Sequence, residues 1–509
     1  MAGSSNNPRS VGAKRPSSML FDLESGVAPL TQGVYDVCVC GTGPAGITVA
    51  RELAATGKKV VLVEAGGFEY SERSQDVYAG LESGIPLYNT ALTGCRLRYF
   101  GGTSNHWTGL CGVLEESDFW AKRYQELPGW PISRTEVLAH LKDASEILDL
   151  GTTDFSPRPF GDVKESAFER PTLVKSPPTR FGTKYRDEIT RSQNIHLFIN
   201  ANLVNLRLAD VASGVPRIEH VLVSNYRKEV ARVSAKRYVL ALGSVENARM
   251  LLNANRQAPN RIGNHSDFVG RCFMEHLNVQ IGRFVTRSAQ ALIPSNGAIS
   301  PTEQTVRRLN IGNGYLALHL NATPHESGRL GPVRGVFRRA ACEFDTVKEF
   351  ARKFKDFDCT GDGVITSLIE QTPDRNSRVT LAAQADEFGL KRPHLNWVLN
   401  DADRRTIRSL GFELAKNLLE LDVARVQLSE FITDPRKNIE VWNHAHQMGT
   451  TRMAADPRYG VVDIDCRVHG VANMYIAGSS VFPTGGGVNP TFTIVMMSLR
   501  LARHLGTLA

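Results

Sequence analysis

The pattern of apolar and polar residues is clearest between residues 35 and 64. There YDVCVC is a short apolar run, ITVARELAATG has helical spacing, and KKVVLVE contains a second apolar run. Pro44 suits the first position of the helix and Gly57 its end, because proline lacks an N–H and glycine accepts a left-handed backbone. The pattern predicts a strand, a tight turn, a helix and a second strand, which together form one βαβ unit.

Apolar periodicity predicts further helices and strands along the chain. Residues 133–148, SRTEVLAHLKDASEIL, are predicted to form one amphipathic helix, with Ser133 and Glu136 as a capping box. Strands are predicted from about residue 195 onward, and RYVLALG leads into a helix at SVENARMLL. A second sheet is predicted from 275–285, 314–320, 377–382 and 394–399, and a long helix from 402–422.

The order of these elements predicts the domain organisation. A nucleotide-type unit near the N-terminus and a Gly-rich strand and helix near the C-terminus enclose a strand-rich middle. We expect an α/β Rossmann-like cofactor domain with an inserted α+β substrate domain built on a mostly antiparallel sheet. The expected ranges are 1–30 for a disordered lead-in, 31–115, 195–270 and 440–509 for the cofactor domain, and 116–194 and 271–439 for the substrate-binding domain.

Composition narrows the classes of function. The 509 residues include 60 basic and 52 acidic ones, a net charge of +8 without a long basic run, so no nucleic-acid partner is expected. The eight cysteines are scattered without metal-type spacing, so a reducing compartment is favoured and no metal site is predicted. The sequence has neither a secretory signal nor a membrane-spanning run, so we expect a cytoplasmic protein without a membrane partner.

The glycine-rich GTGPAG follows the first predicted strand directly. Gly41 permits the tight turn, Gly43 lets a pyrophosphate approach the backbone, and Gly46 lets the helix pack closely on the strand. The free N–H groups at the helix N-terminus then face the phosphates. Glu64 ends the second strand, 23 residues after Gly41, where a carboxylate can bind ribose hydroxyls. The unit predicts dinucleotide binding, and the AGG after Glu64 together with a second strand-to-helix turn at Gly243 favours FAD over NAD.

Four motifs, in this order along the chain, resemble those of the glucose–methanol–choline (GMC) oxidoreductases. They are GTGPAG with EAGG, GGTSNHWTG at 101–109, ALGSVENARMLL at 241–252, and HQMGTTRM followed by GSSVFPTGGGVNPTFT. The resemblance extends over essentially the whole chain and is most specific at its two ends. NHWTG and HxxGTxRM are similar to motifs of pyranose-oxidase-like and bacterial sugar- or glycoside-oxidising members. The resemblance implies an FAD-dependent oxidoreductase acting on an alcohol or a sugar.

The resemblance also implies which residues contact the flavin. GGTSNHWTG matches the flavin-contacting loop, in which Thr108 corresponds to a threonine near flavin N5. His106 corresponds to a histidine that some members bond covalently to FAD, so covalent attachment stays open, with non-covalent binding favoured. The residues expected at the cofactor are Gly41, Gly43, Pro44, Ala45, Gly46, Glu64, Ala65, Gly101, Gly102, Thr103, Asn105, His106, Trp107, Thr108, Ala241, Gly478, Ser479, Asn489, Pro490 and Thr491.

HAHQMGTTRM contains the expected catalytic base. In the family this histidine lies three residues before the GT dipeptide, which selects His446 and leaves His444 as a structural residue. Alcohol oxidation removes a hydroxyl proton, and an imidazole with a pKa near neutrality is suited to accept it. The second catalytic position corresponds to Asn489, whose amide can hydrogen-bond the substrate oxygen but cannot take its proton. Glu370 and Gln371 are candidates for binding sugar hydroxyls, with ordinary strand residues as the favoured alternative.

The expected reaction is oxidation of a secondary alcohol, a sugar or glycoside hydroxyl, to a ketone. Hydride passes to flavin N5 while His446 takes the proton, and oxygen or another acceptor reoxidises the flavin. Two alternatives stay open, an FAD-containing lyase of the cyanohydrin type and an oxidase of a non-sugar alcohol in a biosynthetic pathway. The sequence is also compatible with an oligomer.

Overall fold

The computed structural model describes residues 19–27, 35–87, 91–122, 126–160, 166–209, 215–259, 261–286, 298–321 and 361–508. The strands are β1 Leu20–Asp22, β2 Tyr35–Cys40, β3 Val60–Val63, β4 Leu81–Gly84, β5 Leu110–Cys111, β6 Arg158–Pro159, β7 Phe168–Arg170, β8 Val174–Lys175, β9 Ile195–Ile199, β10 Asn202–Leu208, β11 Ile218–Ser224, β12 Val230–Val233, β13 Ala235–Leu240, β14 Leu277–Asn278, β15 Gln280–Thr286, β16 Ala298–Pro301, β17 Gly314–Leu320, β18 Gly361–Ile369, β19 Arg378–Ala385, β20 Lys391–Trp397, β21 Ala424–Leu428, β22 Trp442–Asn443 and β23 Met474–Ile476.

The helices lie between these strands and at the C-terminal end. They are α1 Pro44–Ala55, α2 Glu72–Asp76, α3 Ala91–Gly94, α4 Glu116–Phe119, α5 Arg134–Leu138, α6 Leu141–Ile147, α7 Phe181–Lys184, α8 Arg186–Arg191, α9 Ser244–Asn255, α10 Glu303–Leu309, α11 Asp401–Glu420, α12 Glu430–Thr433 and α13 Thr491–Thr507. Short 3₁₀ helices occur at Leu23–Ser25, Gly102–Asn105 and Ser479–Val481. In the described part of the chain, no helix combines the length and apolar character needed to cross a membrane.

A six-stranded parallel sheet in the order β1-β9-β3-β2-β13-β23 forms the centre of the nucleotide-binding part. The predicted βαβ unit is confirmed as β2, α1 and β3, with Pro44 at the first helical position and Gly57 just after the helix at φ 81°. All four residues of β3 are buried, as expected for a strand covered on both faces. Helix α1 packs against α13, so an N-terminal and a C-terminal segment of the described chain meet.

A larger, antiparallel sheet lies in the strand-rich middle of the sequence. Its main order is β21-β15-β18-β17-β16-β7-β6, and β14 and β22 pair at its side. Its strands come from 158–170 and 277–443, so β22 lies beyond residue 439, where the expected substrate-binding range ends. Two three-stranded sheets, β10-β11-β12 and β19-β20-β4, are separate from these two larger sheets.

The prediction that 377–382 and 394–399 extend the second sheet is wrong. They form β19 and β20, and β20 pairs in parallel with β4, where His394 lies opposite Leu81. Periodicity identifies a strand from its own residues, whereas the partner of that strand is set by contacts between segments far apart in sequence. The pairing of β20 with β4 therefore connects the middle of the chain to its N-terminal part through backbone hydrogen bonds.

The expected disordered lead-in is also too long. Leu20–Asp22 form β1, which pairs in parallel with β9. Phe21 stacks on Phe198, with ring centroids 4.8 Å apart, so an apolar contact holds this edge strand in place. The rest of the expected lead-in, 1–18 and 28–30, lies outside the described residues.

The helix predicted over 133–148 is two helices, α5 and α6. The capping box is confirmed, because the Ser133 hydroxyl accepts the N–H of Glu136 and the Glu136 carboxylate accepts the N–H of Ser133. The break comes at His140, whose N–H donates to Val137 O three residues earlier at 3.2 Å. Such a bond tightens the turn and ends the regular α-helical series. The C-terminal run at 491–507 forms the helix α13, as its spacing predicts.

Gly46 provides a test of how closely α1 must approach β2. A methyl group at this position would lie 1.9 Å from Gly41 O, so Gly46→Ala must push the helix off the turn. We expect a loss of about 1–3 kcal/mol in the free energy of unfolding, the usual cost of overpacking, together with loss of bound flavin. Urea unfolding and the flavin-to-protein ratio measure the two effects.

Gly506→Ala is the matched control, because Gly506 is also helical but its added methyl would have no atom nearer than 3.8 Å. This change should be neutral or stabilise by up to about 1 kcal/mol, the helix propensity difference between glycine and alanine. Equal stability and equal flavin content in the two variants would contradict the close packing.

Candidate active site

A cavity of about 360 Å³ opens where three strand-to-helix turns meet at the carboxyl edge of the parallel sheet. The turns follow β2, β13 and β23. Backbone hydrogen bonds hold them side by side, because the N–H of Ala241 donates to Cys40 O and that of Ala477 to Leu240 O, both at 2.8 Å. This edge of a parallel sheet is where such folds bind ligands.

In the turn after β2, the backbone of Gly41 and Gly43 lines the cavity without a side chain over it. A methyl group on Gly43 would meet no atom within 4 Å, so the backbone at the N-terminus of α1 borders open space. The carboxylate of Glu64 accepts the N–H groups of Thr42 and Gly66 at 3.1 and 2.9 Å and also lines the cavity. A helix N-terminus beside a fixed carboxylate suits the pyrophosphate and ribose of a dinucleotide. The residues present therefore fit FAD.

The loop at 101–109 lies directly over this turn. A methyl on Gly102 would come within 3.0 Å of the Cα of Gly43, so two glycines allow the two segments to touch. Arg180 supports the loop from behind, donating to the carbonyl oxygens of Ser104 and Trp107 at 3.0 and 2.6 Å. His106 lines the cavity, and burial followed by the charge of Arg180 lowers its pKa. The loop is thereby held as a wall of the cavity.

Most residues expected at the cofactor share this cavity. Three of them lie behind the wall: Gly46 packs on Gly41, while Gly101 and Asn105 pack around Gly182. Asn105 donates to Phe100 O at 2.9 Å, so it shapes the loop. The expected residues that line the cavity are Gly41, Gly43, Pro44, Ala45, Glu64, Ala65, Gly102, Thr103, His106, Trp107, Thr108, Ala241, Gly478, Ser479, Asn489, Pro490 and Thr491.

His446 and Asn489, the expected catalytic residues, meet at the wall of the same cavity. The side-chain nitrogen of Asn489 lies 3.2 Å from His446 Nε2. Burial lowers the pKa of His446 well below its usual value, and the neighbouring His276 and His444 lower it further. His444 stacks on His446, with ring centroids 5.6 Å apart, and its Nε2 lies 3.0 Å from Ser367 O. The arrangement presents a neutral imidazole beside an amide donor.

His276 is a partner of His446 that the sequence analysis does not identify. The Nδ1 atoms of the two rings are 2.9 Å apart, and the rings meet at 87°. His276 Nε2 lies 2.8 Å from Gly486 O, and the residue is fully buried. One signal was available, since CFMEHLNVQIG places two adjacent titratable residues in an otherwise apolar run. Polar groups at buried positions require partners and often mark functional sites.

Glu275, the residue before His276, binds the backbone of the segment that carries His446. Its carboxylate accepts the N–H of His444 at 3.1 Å, and the N–H groups of His446 and His276 also favour its charged form. Ala445 has a left-handed backbone, φ 59°, which helps the N–H groups on either side of it converge on one carboxylate. Burial raises the pKa of Glu275 to about 8, against the opposing effect of these N–H groups.

Glu370 and Gln371, the candidates for sugar binding, are both buried and bonded within the protein. Glu370 pairs with the buried Lys122 at 2.5 Å and accepts the N–H of Gly486 at 3.2 Å. Gln371 Oε1 accepts the indole N–H of Trp397 at 2.8 Å. Neither residue is among those lining the cavity, so the structure favours the alternative that they are interior residues.

Charged residues from α9 line another part of the cavity. Glu246 pairs with Arg96 and Arg249, each at 2.9 Å, and Arg249 also pairs with Asp386 at 2.5 Å.

Asn247 accepts the N–H of Leu242 at 3.0 Å and so ties the start of α9 to the turn. The ENARM segment therefore packs at the cavity, and its partners Arg96 and Asp386 were not identified from the sequence.

The parallel sheet and the cavity at its carboxyl edge fit a protein that binds a dinucleotide. Residues 373–498 match the family model described as GMC oxidoreductase, in agreement with the resemblance that the motifs carry. The C-terminal part of the chain is thus similar to the C-terminal domain of GMC oxidoreductases.

Several known proteins are similar to this chain. The 6'''-hydroxyparomomycin C oxidase of Streptomyces lividus is 23% identical over 97% of this chain and 96% of its own length. The fructose dehydrogenase large subunit of Gluconobacter japonicus is 27% identical, and that match spans 54% of this chain and only 48% of the relative. The crystal structure of pyridoxine 4-oxidase from Mesorbium loti superposes with a TM-score of 0.56 at 16% identity, covering 92% of this chain and 99% of the other. That likeness shows a shared fold.

The buried pair of Glu370 and Lys122 generates a prediction about stability. Glu370→Ala removes the carboxylate from a buried ammonium group and from Gly486, so we expect a loss of about 3–5 kcal/mol in the free energy of unfolding. Chemical denaturation measures this loss.

Glu303→Ala is the matched control, because it breaks the exposed pair of Glu303 and Arg307 on α10. An exposed pair four residues apart on a helix contributes only about 0.3–0.5 kcal/mol. Similar losses in the two variants would contradict the supporting role of Glu370.

Proposed function

We propose that this protein oxidises a secondary alcohol, a hydroxyl of a sugar or glycoside, to a ketone. The observation that carries the proposal is the contact between His446 Nε2 and the Asn489 amide at 3.2 Å, on the wall of a cavity that also contains the dinucleotide turn. The sugar as substrate class is supported by the similarity to fructose dehydrogenase.

The turn at Gly43, the carboxylate of Glu64 and the loop at 101–109 would hold FAD. FAD supplies, when bound, the acceptor for the two electrons and the hydrogen that leave the substrate carbon. The protein's part is to bind the alcohol against the cofactor, to keep water out and to manage the hydroxyl proton. Orientation of bound groups and fixed donors near a developing charge are the largest contributions that such a site makes to rate.

His446 is the base in this proposal. Its burial keeps the imidazole neutral, so one ring nitrogen has a lone pair for the hydroxyl proton, and in this proposal that nitrogen is Nε2, the one beside Asn489. Asn489 donates an N–H toward the same point, and this amide would hold the substrate oxygen while negative charge develops on it. Asn489 cannot accept the proton at neutral pH, so the two residues divide the work of base and donor.

Replacing the base gives the first test of the proposal. His446→Ala should retain FAD and lower the rate constant of anaerobic flavin reduction by substrate by about 10²–10⁴-fold, the usual contribution of a general base. Stopped-flow bleaching of the flavin band, with hexoses, glycosides and simple secondary alcohols as substrates, measures this rate constant.

His469→Ala is the control for loss of a histidine, since His469 binds Ala454 O outside the cavity wall. Unchanged reduction in His446→Ala would exclude His446 as the base. A wild-type flavin that none of the alcohols bleaches would contradict oxidation itself and favour the lyase alternative.

The lowered pKa of His446 gives a second test. The base must be neutral, and a pKa below the ordinary 6.5 keeps it neutral as the pH falls through that value. The rate constant of flavin reduction at saturating substrate should therefore stay constant from about pH 8 through 6.5 and decline only at lower pH. An acidic limb centred at or above pH 6.5, in protein that retains its flavin, would contradict this assignment.

A further inference from the structure

A chain of hydrogen bonds links the loop carbonyl of Gly486 to the lone pair of His446. His276 Nε2 lies 2.8 Å from Gly486 O, His276 Nδ1 lies 2.9 Å from His446 Nδ1, and Asn489 lies 3.2 Å from His446 Nε2. A carbonyl oxygen can only accept a hydrogen bond, so His276 Nε2 must carry a hydrogen. The direction of every later bond in the chain depends on this first one.

The second step follows from the burial of His276. Burial lowers the pKa of His276 to about 3, so its ring is neutral and carries one N–H. With that hydrogen on Nε2, the Nδ1 atom is an acceptor, and the hydrogen between the two rings belongs to His446 Nδ1. A neutral His446 then has no hydrogen on Nε2, which matches the amide donor that Asn489 places there.

We propose that His276 is a positioning residue that holds His446 in the tautomer protonated on Nδ1, so that the lone pair of Nε2 faces the cavity. The tautomer itself is a property of the resting protein. Its catalytic consequence rests on the proposed function, in which Nε2 takes the substrate proton.

The backbone conformation at Gly486 fixes the carbonyl oxygen that accepts the first hydrogen bond of this series. Gly486 has φ 63°, and a methyl group there would lie 2.2 Å from the Leu114 side chain, so the conformation requires glycine. Its N–H donates to Glu370 at 3.2 Å, and Glu370 is in turn paired with Lys122. The loop carbonyl is therefore held in place by buried partners on the side away from His446.

The opposite tautomer would cost hydrogen bonds at both ends. A hydrogen on His446 Nε2 would confront the N–H of Asn489, and an unprotonated His446 Nδ1 would confront the lone pair of His276 Nδ1. Turning His276 to its own other tautomer would leave Gly486 O without its donor in a fully buried place. The assigned tautomer is the arrangement of neutral rings that satisfies every bond in this chain.

The closing experiment compares two substitutions of His276 in the FAD-loaded protein. His276→Gln keeps an amide N–H for Gly486 O and an amide oxygen for His446 Nδ1, whereas His276→Leu keeps neither. The first readout needs no substrate: ¹⁵N NMR of histidine-labelled protein, with the His446 signals assigned by their loss in His446→Asn. The second readout is the rate constant of anaerobic flavin reduction, and flavin content and the melting temperature accompany both.

We expect the wild-type protein and His276→Gln to show a protonated Nδ1 and an unprotonated Nε2 at His446. His276→Leu should show a mixture of tautomers and reduce its flavin on the order of 10²-fold more slowly, while His276→Gln should lie within about tenfold of wild type. His469→Gln and His469→Leu are the matched controls, because His469 also binds a backbone carbonyl, Ala454 O at 3.0 Å, but lies outside the cavity wall.

A wild-type His446 protonated on Nε2 would overturn the inference, whatever happens to His276→Leu. Equal slowing in His276→Gln and His276→Leu would also overturn it, because that result indicates a role in packing alone. If no alcohol bleaches the wild-type flavin, the proposed function fails, while the NMR result still decides the tautomer.

Discussion

The parallel pairing of β2 with β13, and of β13 with β23, is the constraint on which the site depends. It places three turns from residues near 41, 243 and 478 at one edge of one sheet. The same pairing carries the C-terminal segment into position, because the N–H of Gly449 donates to Ser479 O and the Ser479 hydroxyl donates to Gln447 O. The loop with His446 is thereby tied to the turn that borders the cofactor cavity.

His446, the proposed base, lies in a segment that is held by buried polar groups. Glu275 and Glu370 are almost entirely buried, and each binds backbone N–H groups of a loop at the site, those of the His446 segment and of Gly486. Buried carboxylates carry a desolvation penalty that their partners offset only when the geometry is good. Each carboxylate in turn fixes the orientation of a backbone segment relative to the cavity.

The predictions that succeeded concern features encoded by neighbouring residues. The strand, turn and helix at 35–57 and the capping box at Ser133 follow from spacing and backbone chemistry within a few positions. His446 and Asn489 were found because each sits in a short motif, although 43 residues separate them and only the fold brings them to 3.2 Å. Their roles stay predictions, since the structure supplies proximity and burial.

The sequence by itself determined the nucleotide-binding unit, the order of the elements and the resemblance to a family, because periodicity, glycine spacing and short motifs are local properties. Only the tertiary structure decided that β20 joins β4, that Glu370 and Gln371 are interior residues, and that His276 touches His446. The last contact joins residues 170 positions apart. The physical reason is that hydrogen-bond direction and burial depend on which distant segments pack together, and no pattern within a single segment contains that information.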